Sequence, residues 1–130
     1  MDSEPKSNRP RGGSYLVRPT PASVLREHQS VIDAPPERVF AALVKAVDPG
    51  PESNLAVDEV AGLIVVQGGW WYRAEYLVVA DAAGTRIRFT LLNVAQPAHW
   101  AGPLTGRAAI RSSARDFGEV VALVRAGTAS

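Results

Sequence analysis

The chain has 130 residues, enough for one domain with a single moderate core. Its 46% apolar and 21% charged content excludes a disordered composition. Its 14 Lys plus Arg against 13 Asp plus Glu, a net charge of +1, argues against a surface built chiefly for nucleic-acid phosphates.

Cysteine is absent and the two histidines, His28 and His99, lie far apart, so disulfide, thiolate and metal-ligand chemistry drop out and no cofactor is expected. Only Lys6 and Lys45 are lysines and alanine is abundant, a composition typical of a GC-rich bacterial genome. The opening MDSEPKSN lacks the apolar stretch of a secretory signal, and no apolar run is long enough for an integral membrane span. A cytoplasmic location is the default expectation.

Residues 1–20 are rich in proline, glycine, serine and charge without apolar period, which predicts a flexible tail, with Tyr15, Leu16 and Val17 able to dock locally. Within it, RPRGGS has one arginine-glycine step and no repeat, which is poor support for nucleic-acid binding. A single domain is expected over 21–127, with 128–130 as the end. Ser23 to Asp33 alternates in mixed fashion and predicts an edge or partly solvated strand. The stretch VIDAPPERVF then turns directly into a helix: Pro35 cannot donate to a ladder, proline is tolerated at the first helical position, and Glu37 meets the positive end of the helix dipole. Phe40, Leu43, Val44 and Val47 recur at helical spacing, until Asp48-Pro49-Gly50-Pro51 ends the helix.

LAVDEV and LIVVQ predict two short strands joined at Ala61-Gly62, and Gly68-Gly69 a tight turn. GWWYRAEYLVVA, residues 69–80, predicts the longest strand, with Trp70, Tyr72 and Tyr76 on one face. Through a turn at Asp81–Gly84 it pairs with TRIRFTLLNVA, setting Val78 opposite Ile87 and Tyr76 opposite Phe89. Arg73, Glu75, Arg86 and Arg88 read as solvated charges of the outer face. Gln96 to Trp100 is a loop. From about Pro103 to Arg125 the period is helical again, with Ile110, Ala114, Phe117, Val121 and Val124 in one stripe, Gly106 and Gly118 as weak points, and Gly127 as C-cap. Arg107, Arg111 and Arg115 form a basic stripe that reads as a solvated face.

Strand, helix, antiparallel strands and one long final helix make an α+β layout. The corner VIDAPPERVF, the hairpin ending ADAAGTRIRFTL and the terminal amphipathic helix together resemble the START-like superfamily. This group, also called SRPBCC or helix-grip, includes the polyketide cyclase/dehydrase proteins and plant pollen allergens. The resemblance covers roughly residues 23–126. It implies a curved antiparallel sheet gripping the C-terminal helix around an apolar cavity that takes lipids, sterols, polyketides or aromatic compounds. This chain has only DPGPESN where members usually carry a second short helix and more strand, which implies a shortened member with a smaller or more open cavity.

On that reading Phe40, Trp70, Tyr72, Tyr76, Phe89, Trp100 and Phe117 are the candidate ligand-binding residues; the competing reading has Trp70, Tyr72, Tyr76 and Phe89 fill the core against Phe117 and Phe40. His99, Tyr72 and Tyr76 are the candidates for acid–base chemistry, although no paired carboxylates, activated nucleophile or metal site accompanies them. His28 reads as a satisfied or solvent-facing histidine. The leading expectation is a protein that binds a hydrophobic or aromatic small molecule. The alternatives are a polyketide cyclase-like or hydrolase-like enzyme and an interaction module that pairs as a homodimer through an open sheet edge.

Overall fold

The computed structural model describes residues 13–49, 53–96 and 99–129. A one-turn helix α1 (Gly13–Leu16) leads into β1 (Ser23–Ile32), α2 (Pro36–Ala46), β2 (Asn54–Asp58), β3 (Leu63–Gly68), β4 (Tyr72–Asp81) and β5 (Gly84–Asn93). A 3-10 turn (His99–Ala101), a short α3 (Gly102–Thr105) and the long α4 (Arg107–Thr128) close the chain. The five strands form one antiparallel sheet in the order β1-β5-β4-β3-β2, which leaves β1 and β2 at the edges. With α4 lying across β1, β5 and α2, this is the expected α+β helix-grip arrangement of a curved sheet around a C-terminal helix.

The strand-to-helix corner forms as the sequence predicts. Pro35 caps α2 in an extended conformation, Pro36 is the first helical residue, and Glu37 lies in the first turn. Val39, Phe40 and Leu43 are buried on α2, and Val47 just beyond it. The β4–β5 register also matches, with Tyr76 opposite Phe89 and Val78 opposite Ile87. In β1 a bulge between Val24 and Arg26 interrupts the pairing, so Leu25 packs against the core although strict alternation would turn it outward.

Three expected element boundaries are corrected. First, β4 begins at Tyr72, because Gly69 sits at φ 62 and turns the chain, leaving Trp70 and Trp71 in the turn. Trp70 therefore does not continue the Tyr72–Tyr76 face: it is 42% exposed, and Trp71 is the buried indole. Second, the terminal helix breaks at Gly106. A β-carbon there would lie 1.9 Å from the Trp71 ring, so the glycine is the notch that seats this indole between α3 and α4. Third, α4 runs past Gly127 to Thr128, so Gly127 is not its cap, and its buried stripe is Ser113, Phe117, Val121, Val124 and Thr128, with Ala114 exposed. Burying one Phe or Val side chain of that stripe is worth about 1.5–3 kcal/mol.

The outer face of the sheet is not uniformly solvated. Ala56 and Val65 have no exposure there, and α1 packs over β2 and β3. Arg73, expected among solvated charges, is fully buried. It donates to the carbonyl oxygen of Tyr15 (2.7 Å), to Gln67 Oε1 (2.9 Å) and to Glu75 (2.7 Å), and Arg18 donates to Glu75 from the other side (2.6 Å). Docking of residues 15–18 thus depends on one buried guanidinium, each of whose three nitrogens finds an acceptor. Of the expected tail, residues 1–12 lie outside the described residues.

Candidate ligand site on the concave face

Across the concave face the pairing places His28 opposite Phe89 and Phe89 opposite Tyr76. Phe117 descends from α4 onto this row. The His28 ring stacks at 5.8 Å on Phe89 and at 6.0 Å on Phe117, Phe89 and Phe117 stack at 5.5 Å, and Tyr76 tilts against Phe89 at 5.0 Å. Such contacts fill space at interior density. Phe89, Phe117 and Phe40, candidates both for ligand contact and for core filling, are 5, 6 and 8% exposed and belong to the packed core. His28 is half-buried, and its Nε2 is 3.0 Å from Ser113 Oγ, so it is a satisfied histidine whose polar edge reaches α4.

The same face continues along β4 toward the flank of α4 that carries Asp116. Tyr72 and Tyr76 project from one side of β4, with Tyr72 half-buried and Tyr76 buried. Neither hydroxyl has a hydrogen-bond partner among the described residues, yet no described side-chain oxygen is both sealed from solvent and unpaired. Both hydroxyl oxygens therefore keep some contact with solvent. Burial, and after it the negative field of Asp116, raises the pKa of Tyr72. For Tyr76, burial, the neighbouring Tyr72 and then Asp116 raise it strongly. Both groups stay neutral across the physiological range and act as hydrogen-bond donors rather than as phenolate bases. Asp116, on the flank of α4, accepts a bond from Ser112 (2.8 Å). Leu55 and Val57 of β2 and Ile110 and Val120 of α4 are half-buried against the core.

The other expected site residues fall elsewhere. Trp100 is 74% exposed in the 3-10 turn. Beside it, His99 Nε2 is 2.8 Å from Ser23 Oγ and Nδ1 is 2.9 Å from the Ala95 carbonyl oxygen, while Asn93 Nδ2 donates to the His99 carbonyl (2.6 Å). Sequence reasoning gives His99 no hydroxyl partner, because Ser23 stands 76 residues away and no spacing signals the contact. Arg107, Arg111 and Arg115 are exposed, with Arg115 3.8 Å from Asp116. Two surface grooves lie off the concave face. One, of about 450 Å³, runs between α2 and α4 past Arg38, Lys45 and Leu123; the other, of about 610 Å³, crosses the outer sheet face at Arg18, Glu75 and Arg88. Among the described residues no three His, Asp or Glu side chains gather to hold a metal, and no helix is long and apolar enough to cross a membrane.

No family model matches the chain, and no curated protein matches it. Among solved structures it is similar to TTHA0849 from Thermus thermophilus, at 16% identity over 83% of this chain and 97% of that one, with a TM-score of 0.45. It is also similar to Ara h 8.0201, at 13% identity over 79% and 97% of the two chains, with a TM-score of 0.48. The assignment to the helix-grip class rests on the strand order and the final helix of this chain itself.

Proposed function

We propose that this protein binds a small, flat, mostly apolar molecule carrying one or two hydrogen-bonding groups, held between β4 and the flank of α4. The observation that carries this reading is the pair of tyrosine hydroxyls, Tyr72 and Tyr76, without a partner among the described residues on an otherwise apolar face. An apolar cleft with a few convergent polar groups is the usual form of a small-molecule site. The filled centre of the sheet supports a ligand of one or two fused rings rather than a long lipid, since His28, Phe89 and Phe117 already occupy the space deeper in. Tyrosines held neutral favour recognition over proton abstraction, so binding stands ahead of a cyclase-like reaction at these two residues.

Protein-observed NMR titration with 2-naphthol and naphthalene tests the reading. Saturable shifts should centre on Tyr72, Tyr76, Ile110 and Asp116. Tyr76→Phe should weaken 2-naphthol by about tenfold, the loss of one net hydrogen bond, and leave naphthalene unchanged. Absence of saturable shifts with either compound at millimolar concentration would remove the proposal.

A further inference from the structure

We infer that Ser23 and His99 form a nucleophile–base pair able to transfer acyl groups from small activated esters. This site stands on its own geometry and does not rest on the tyrosine cleft. The Ala95 carbonyl can only accept, so at 2.9 Å it holds the proton of the neutral ring on Nδ1. Nε2 is then the lone-pair nitrogen, and at 2.8 Å it accepts the Ser23 hydroxyl proton. That is the arrangement of hydroxyl, base and orienting group by which a serine is activated. It is also built rather than incidental. Asn93, 2% exposed, grips the His99 carbonyl through Nδ2 (2.6 Å) and turns its Oδ1 to the Ala95 amide (3.1 Å), so one buried side chain sets the spacing of the base and its orienter. Gly102 lets the following helix approach, since a β-carbon there would lie 2.4 Å from Asn93 Oδ1.

Ser23 is exposed at the start of β1, so a substrate can reach Oγ. Next to the pair in sequence stand Val24, 50% exposed, and Trp100, 74% exposed, apolar surface suited to a short acyl chain or an aromatic leaving group. In the step, Ser23 Oγ bonds to the ester carbonyl carbon as its proton passes to His99 Nε2. Collapse breaks the carbon–oxygen bond of the leaving group, which takes the proton from Nε2. Water, deprotonated by the same nitrogen, then releases the acid and restores the serine. The orienting group is a neutral carbonyl and not a carboxylate, so it stabilises the imidazolium less than a buried aspartate does. Activated esters with phenolic leaving groups are therefore the matched class, and amides are not.

The test uses the full chain with p-nitrophenyl acetate, followed by peptide mass mapping, and in parallel with phenylmethanesulfonyl fluoride. The expected result is a burst of about one p-nitrophenol per chain, and both labels on Ser23 in the folded protein but not in urea. Ser23→Ala should abolish the burst, and His99→Gln should slow acylation by about 10²-fold, each with an unchanged circular dichroism spectrum. Labels on other residues, a burst that survives Ser23→Ala, or no label on the folded wild-type chain would each overturn the assignment. The wild-type labelling decides the matter even if a variant fails to fold.

Discussion

Arg73 and Glu75 stand two residues apart on β4 and share an ion pair of 2.7 Å in which the arginine side chain is 1% exposed. Their partners come from a distant part of the chain: Tyr15 and Leu16 offer carbonyls to Arg73, and Arg18 completes the cage around Glu75. The N-terminal segment is thereby tied to the sheet by charge rather than by apolar area alone.

Replacing Arg73 with alanine should be among the most destabilising single changes in the chain. It leaves Glu75 with one cation instead of two and removes the donor from the Tyr15 carbonyl. A loss of about 3–5 kcal/mol is expected from breaking one side of a buried pair, read from the urea unfolding midpoint. Arg18→Ala, at a half-exposed partner, should cost less than about 1 kcal/mol.

Stability should fall on acidification. Burial opposes the Glu75 carboxylate, but the hydrogen bonds from Arg18 and Arg73 outweigh it and hold the folded carboxyl below the usual glutamate range. Asp81, bonded by the Ala83 amide and by Arg86, is also held low. A depressed folded value means that the stabilisation is complete above the ordinary carboxylate range and is lost as the pH drops through the folded value. Urea midpoints measured from pH 7 to pH 3 should therefore decline, and Glu75→Gln should flatten that dependence while lowering stability at pH 7.

The two adjacent tryptophans should respond in opposite ways. Trp71→Ala empties a core position and should cost about 3–5 kcal/mol; Trp70→Ala, at an exposed turn, should stay within about 0.5 kcal/mol. Gly106→Ala drives a methyl into the Trp71 ring and should cost about 1–3 kcal/mol, with a red-shifted tryptophan emission as the indole is displaced.

Tyr76→Phe should leave the stability of the free protein within about 0.5 kcal/mol, because the hydroxyl has no partner among the described residues to lose. Phe117→Ala, beside it, should cost about 3–5 kcal/mol by opening a void against Phe89 and His28. Thermal or urea unfolding of the two variants checks both values.

The corner at Pro35-Pro36, the β4–β5 register and the amphipathic final helix were legible because each depends on neighbours in sequence: fixed proline dihedrals, a turn of known length, a repeat of 3.6 residues. The aromatic row was half legible. Alternation placed Tyr72, Tyr76 and Phe89 together, but it also carried Trp70 onto that face, because the turn signalled by Gly68-Gly69 extends through Trp71, a length that no apolar pattern reveals. Nothing in the spacing marked Ser113 as a partner of His28, or residues 15–18 as the cover of Arg73.

What the sequence determined by itself was the order and type of the elements, and with them a sheet that must bury its apolar face on the last helix. Only the tertiary structure decided which aromatic rings fill the interior, which hydroxyls stay unpaired, and that Ser23 meets His99. Those outcomes depend on contacts between residues tens of positions apart, made when the sheet closes on α4, and local propensity carries no record of them.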